Sequence, residues 1–413
     1  MAWSVLKVTV GVVALGLLWA GLSGDEASGA KSPTTQPAAS AGGEPAAKSG
    51  LDAIDAKHLE TVRKLINDGV AYLLASEDKD GGWSAGGAYK PAMTAIVLKV
   101  LVQQPDYKAD SPVVKRGFET LMKYRQKDGG FYDPGAGVEN YTTALAVMAL
   151  SAAKDPRHAG ALREAVAYLK GLQIVPGAES PDGRKITEDH VFVGGVTYGK
   201  HGRPDMSNVG FWMDALQAAG VPGDDPAVQK ALLFVTRAQN ISESNPLAWA
   251  AEENDGGFVY APSSKDGKGG GESMAGPGRG GQGLRSYGSM TYVGFKSMLY
   301  ANVGRDDPRI QAAYKWIRSY WRLDSNPNMP EAKSMQGLYY YYHMFAKALR
   351  AWGQPAIKDV EGKEHNWRHE LIDALAQRAK KDGSWANEAD RWEEGSPVLV
   401  TGYAILALQE TLR

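Results

Sequence analysis

Residues 125–131 read Arg-Gln-Lys-Asp-Gly-Gly-Phe, and the last four of them recur along the chain. Asp80-Gly81-Gly82-Trp83 precedes them; Asp255-Gly256-Gly257-Phe258 and Asp382-Gly383-Ser384-Trp385 follow, and Asp182-Gly183 reads as a degenerate fifth copy. The first interval has the length of one helix pair, and the later ones have room for two. Recurrence at this scale means an array of supersecondary units. The phrase has a physical task. Asp and Gly turn the chain tightly, with Gly taking positive φ. The aromatic that follows is placed to plug the gap between neighbouring units.

Between the turns the chain reads as helix pairs of two kinds. Leu162, Val166 and Leu169 form a stripe, with Arg163, Glu164 and Lys170 off it, and Ile310, Tyr314 and Ile317 repeat the pattern. Such helices are half exposed. By contrast, 141–153 and 398–408 are nearly free of charge on every side, as a fully buried helix must be. Exposed-type helices are expected near 57–76, 110–126, 157–173, 226–240, 307–321 and 366–380. Buried-type helices are expected near 90–103, 140–153, 206–220, 287–302, 335–352 and 397–412. The strict alternation predicts an all-α ring, (α/α)6, with six inner helices inside six outer ones. The last helix is among the most apolar, whereas an open array would end on a polar face; closure onto the first unit is therefore expected. Asp155-Pro156, Asp225-Pro226 and Asp307-Pro308 read as helix starts, with Asp as cap and Pro at the first helical position. The pairs Asp224-Asp225 and Asp306-Asp307 are accordingly read as caps and not as metal ligands.

Composition bounds the rest. Lys and Arg number 46 against 47 Asp and Glu, with no basic cluster, so nucleic acid is not the expected partner. There is no cysteine, which excludes disulfides, thiolate metal sites and a cysteine nucleophile. The seven histidines show no HExxH spacing. No metal and no cofactor are expected. Residues 1–24 carry one early positive charge and an uncharged run from Val8 to Leu22. That run is short for a membrane span and suits a signal peptide, with an uncleaved N-terminal anchor as the alternative. The body, 51–413, is therefore expected to be exported to the periplasm or beyond. Any membrane association would run through the N-terminus. Residues 25–50, rich in Ala, Ser, Gly and Pro, read as a linker.

The array with its DGG-aromatic turns resembles the α/α-toroid of the squalene-cyclase and protein-prenyltransferase repeat family, whose turn is Q-x-x-D-G-G-W/F. Residues 125–131 carry the likeness best, with Gln126 one position closer to the Asp. The likeness covers most of 57–413 and implies the fold. The chemistry does not carry over. No D-x-D-D motif is present, and Asp78-Lys79-Asp80 is the only D-x-D, its second Asp belonging to a turn. Without cysteine, neither the prenyltransferase zinc site nor a complement-type thioester can be built.

The two longest insertions, 174–204 and 259–285, both join an outer helix to the next inner one. They share the end of the ring where the inner helices begin, which is the expected binding face. Six helix N-termini meet there and favour a polar or anionic ligand group. The inner-helix starts also carry aromatic clusters. Tyr141, Arg285, Tyr287, Tyr292 and Tyr340 are the candidate binding residues. Four consecutive tyrosines, 339–342, point in four directions, so only one or two can line a cavity. Asp214, beside Phe211 and Trp212, is a candidate acid whose pKa burial would raise. His343 is a candidate proton donor or acceptor, with a packed core histidine as the bland alternative. Glu139 and Glu394 read as rim charges. The leading reading is a cavity for an apolar, isoprenoid-like small molecule or lipid, with cyclase-like chemistry. A non-enzymatic scaffold holding a protein partner is the alternative, and a glycan lyase or hydrolase a third.

Overall fold

The computed structural model describes residues 53–87, 89–180, 183–200, 202–264 and 270–413. The segments 1–24 and 25–50 lie outside them. Six helices form the inner ring: α2 (Lys90–Val102), α4 (Glu139–Ala153), α6 (Met206–Ala218), α9 (Gly288–Tyr300), α11 (Leu338–Trp352) and α13 (Pro397–Thr411). Six more lie outside: α1 (Ala56–Ala75), α3 (Pro112–Met122), α5 (Ala159–Gly171), α7 (Pro226–Arg237), α10 (Pro308–Ser319) and α12 (Trp367–Ala376). A short α8 (Ala248–Glu253) interrupts the loop before α9, and a two-stranded hairpin, β1 (Ile357–Lys358) with β2 (Glu364–His365), bridges α11 to α12. Among the described residues no helix is long and apolar enough to cross a membrane.

Each inner helix packs on the next in order, α2, α4, α6, α9, α11, α13, and α13 returns to α2. The ring is closed, as the apolar last helix implied. α12 lies against α1 at the seam, where His58 and His369 stack with ring centroids 4.0 Å apart. Asp155, Asp225 and Asp307 each accept a backbone N–H two residues on, at 2.9 Å, so they are caps.

The recurring turn has one wiring. The backbone N–H of its aromatic residue donates to a buried threonine near the start of the following inner helix. Trp83 donates to Thr94 Oγ1 at 3.0 Å, Phe131 to Thr143 at 2.9 Å, Phe258 to Thr291 at 3.1 Å and Trp385 to Thr401 at 3.0 Å. The plug is held from behind as well: Trp385 Nε1 donates to Leu375 O at 2.9 Å. The turn also presses on the next outer helix. Gly383, at φ +84°, would put a Cβ 2.4 Å from Asp68 O of α1, so the last turn seals against the first helix.

The fifth copy is not Asp182-Gly183. Asp182 is outside the described residues, and a Cβ on Gly183 would meet nothing within 4 Å. The copy is Gly194-Gly195-Val196. Gly194, at φ +89°, lies so close to Lys230 O of α7 that a Cβ would fall 1.9 Å away. Gln173 Nε2 donates to Gly194 O at 3.1 Å and to Ala227 O at 2.8 Å. Gln239 does the same to Gly256 O and Arg309 O, both at 2.9 Å. With neither Asp nor aromatic, this copy keeps only its glycines and a glutamine far upstream, which hid it from the motif.

Thr401→Val is expected to cost about 1–3 kcal/mol, since it leaves the buried Trp385 N–H without an acceptor. Thr401→Ser, which keeps the oxygen, is expected to lose less. Chemical denaturation of the two variants beside the parent protein checks this ordering.

Candidate ligand cavity

A cavity of about 280 Å³ opens at the end where the inner helices begin. Nine of its nineteen lining residues are aromatic, which makes its wall chiefly apolar. Tyr141, Tyr287 and Tyr340, three of the binding candidates, line it. So do Phe211 and Tyr403 of the inner ring. Tyr198 and Tyr260 reach it from the two long insertions, which places the insertions on the cavity face. Tyr141 and Tyr403 join hydroxyls across the lumen at 2.8 Å. Of the four consecutive tyrosines only Tyr340 faces the cavity, and its hydroxyl has no protein partner among the described residues. Tyr341 and Tyr342 instead donate to the carbonyls of Arg322 and Leu323 behind the ring.

Two binding candidates are misplaced. Tyr292 packs against Tyr341 and Phe345 and does not line the cavity. Five residues after Tyr287, it has turned well away from the lumen side of α9. Arg285 lies in the loop before α9 and is not part of the wall.

The wall holds two carboxylates, Glu393 and Glu394. Trp392 and Glu393 both take left-handed backbone, with φ of 60° and 64°. Consecutive non-glycine residues in that region store strain, of order 1–3 kcal/mol each. The strained pair turns the chain so that Trp392 stands half-exposed at the mouth and Glu394 points inward. Glu394 is buried and accepts from Tyr340 N at 2.8 Å and Asn387 Nδ2 at 2.6 Å. Burial pushes its pKa up to about 7 against these hydrogen bonds, which favour the charged form. It is more than a rim charge. A second buried carboxyl, Asp205, caps α6 and is hydrogen-bonded to Ser207 and Asn208, both cavity residues. Burial raises its pKa as well. Neither position carries a sequence signal beyond its place before an inner helix.

Asp214 and His343 lie deeper. Asp214 is completely buried and pairs with Lys296 of α9 and with Lys347 of α11, the latter at 2.9 Å. The expected raised pKa is therefore corrected. Burial does push upward, but the two ammonium groups outweigh it and hold the carboxylate well below its usual range. An Asp so held is ionised and has no proton to give. His343 stacks on Tyr403, with centroids 5.6 Å apart. Burial, with Lys347 and Lys99 nearby, keeps its pKa well below the usual value, which disfavours the protonated form.

These parts form two layers down the ring axis. Tyr141, Ser289, Tyr340 and Tyr403 line the cavity. Seven residues on in each helix stand Met148, Lys296, Lys347 and Glu410. Seven residues are nearly two full turns, so each lower residue lies about 10 Å below its partner on the same side. An aromatic layer thus sits over a charged one. Glu410 pairs with Arg350 at 2.5 Å.

Fold and layers together define a closed α/α-toroid with a cavity of about 280 Å³ at one end of its lumen. Among solved structures, a variant of the type II terpene cyclase MstE from Scytonema, in complex with its substrate geranylgeranyl dihydroxybenzoate, is similar to this chain. The two are 12% identical, with a TM-score of 0.52, over 87% of this chain and 99% of the other. A D-mannose isomerase is similar at 13% identity and a TM-score of 0.54, over 87% and 99%. At such identities the likeness is one of fold. No protein-family model and no curated protein matches the chain.

Proposed function

We propose that the chain binds an apolar, isoprenoid-like molecule in the aromatic cavity, with Glu394 as the group that exchanges a proton with it in cyclase-like chemistry. The observation that carries this reading is the wall itself: nine aromatic side chains around one buried carboxyl. Aromatic faces solvate positive charge that develops on a hydrocarbon. A carboxyl with a pKa of about 7 is matched to general acid–base work near neutrality. The volume lies at the low end of ligand pockets, which favours a short chain over a polycyclic one. The substrate bound by the similar terpene cyclase supports the same class of ligand. The sugar-acting fold relative supports a glycan reading instead, but an apolar wall offers a sugar few of the polar contacts it needs. The setting proposed for this binding is outside the cytoplasm, on the strength of the uncharged run from Val8 to Leu22.

Native mass spectrometry of protein purified from its own compartment, with extraction of bound lipid, tests the reading. A co-purifying isoprenoid that is lost in Tyr340→Ala is the expected result. Retention by Tyr340→Ala, or a protein that binds neither isoprenoid alcohols nor hydrocarbons when they are added, overturns it.

A further inference from the structure

Backbone strain among the described residues gathers at the mouth of the cavity. Seven non-glycine residues take positive φ. Three are Asn, which tolerates that region, and Lys154 ends α4. The other three, Tyr89, Trp392 and Glu393, all belong to the cavity wall. A bulky side chain in left-handed backbone is an outlier that its surroundings must hold in place, and such outliers cluster where ligands bind. The same opening carries the exposed aromatic surface. Tyr89, Tyr198 and Trp392 are 40%, 39% and 41% exposed, and no other aromatic side chain among the described residues is as open to solvent. A single exposed ring needs no explanation. Three around one opening, two of them on strained backbone, do need one.

The charge of the wall has one sign. Glu393 and Glu394 line it, and no Lys, Arg or His does. Glu393 is exposed, and its carboxylate has no hydrogen-bond or ion-pair partner among the described residues. The basic side chains beside the wall are engaged elsewhere: Lys90 pairs with Asp78 at 3.1 Å, and Arg203 pairs with Glu272. Arg391 lies over Trp392, its guanidinium carbon 4.7 Å from the ring centroid, so that ring already serves one cation. The positive ends of the inner helices oppose a second. At α6 and α11, however, a carboxylate already answers them. Asp205 accepts from Asn208 N at 3.0 Å and Glu394 from Tyr340 N at 2.8 Å.

Resting on the apolar-ligand reading, we propose that Tyr89, Tyr198, Trp392 and Glu393 form a subsite at the mouth for an organic ammonium group. The ligand is then an apolar amine or quaternary ammonium whose hydrocarbon body fills the cavity below. Aromatic faces attract such a cation through their quadrupoles, Trp most strongly. Glu393 supplies the counter-charge. The strained turn fixes Trp392 and Glu393 before the ligand arrives, which reduces the ordering that binding requires.

The test is isothermal titration of the full-length protein with three probes that share one isoprenoid chain. They are geranyltrimethylammonium, its uncharged isostere with tert-butyl in place of trimethylammonium, and geranic acid. The ammonium is expected to bind about tenfold or more tightly than the isostere, and the acid most weakly. Trp392→Leu and Glu393→Gln should each lower that preference to about threefold or less. The ranking of the three probes uses unaltered protein, so it stands even if a variant fails to fold. An isostere bound as tightly as the ammonium, or an acid bound more tightly, overturns the subsite and leaves the cavity reading intact. A preference unchanged in both variants overturns its assignment to these side chains. Failure of all three probes to bind overturns both readings.

Discussion

Asp214→Asn is expected to destabilise the ring by about 3–5 kcal/mol, the range found when one partner of a buried ion pair is removed. Asp214 and Lys296 are fully buried, and Lys347 nearly so. The variant keeps shape and volume but leaves two ammonium groups facing each other without a counter-charge. For a folded body of this size, roughly 1.3 °C in Tm follows each kcal/mol, so a fall of about 4–7 °C should appear in a thermal melt. Adding Lys296→Met and Lys347→Met should recover much of it, because an apolar replacement of a whole buried charge group is often neutral. A melt unchanged in the single variant would mean that the group is not ionised as drawn. The pH dependence has a definite sign. The Asp214 pKa is lowered on folding, so its contribution is present above its ordinary value of 3.8 and is lost as pH falls toward the depressed value. Mild acid should leave this group intact.

Under the proposed cyclase-like function, Glu394→Gln is expected to lower turnover of an isoprenoid ligand by about 10²–10⁴-fold, the usual contribution of a positioned general acid or base. Ligand affinity should change little, because the amide oxygen can still accept from Tyr340 N. With Glu394 as the proposed acid, the rate in the parent protein should fall as pH rises through about 7. Stability carries the same group's signature with the opposite sense to Asp214. Its pKa is raised on folding from an ordinary 4.5, so the folded state holds a proton that the unfolded state releases. Stability should therefore decline as pH rises from 4.5 through about 7, and the Gln variant should lose that slope. Equal rates in Gln and Glu forms would remove Glu394 from the chemistry and leave it as a cap on the first turn of α11.

The helices were readable because their two classes differ in kind. An outer helix such as α5 shows one apolar stripe, and an inner helix such as α13 shows none because every side is covered. The four turns were readable because Asp, Gly and an aromatic each do local work. The turn at Gly194 was not, because its defining property is a close approach to α7, which only the assembled ring reveals. Tyr340 was legible as one of four, but the choice among them depended on where α11 faces. Glu394 was taken for a rim charge because the strained turn at Trp392 and Glu393, which directs it inward, leaves no compositional trace. The lysines of the lower layer did leave one. Lys99, Lys296 and Lys347 interrupt helices that are otherwise apolar, and a charge inside a helix buried all round always needs an explanation.

The seal between Gly383 and α1 governs how the protein comes apart. A stack of repeats with two free ends can fray from either of them, one unit at a time, and its stability is a sum over neighbours. Once α13 rests on α2 there is no terminal unit, and removing any helix pair breaks two interfaces rather than one. Partial unfolding is thereby penalised at every position, and hydrogen exchange in the inner helices should report one common opening free energy in place of a gradient. Closure converts a modular chain into a single cooperative object, and that cooperativity helps to keep a buried charge group such as Asp214 with Lys296 and Lys347 at its centre.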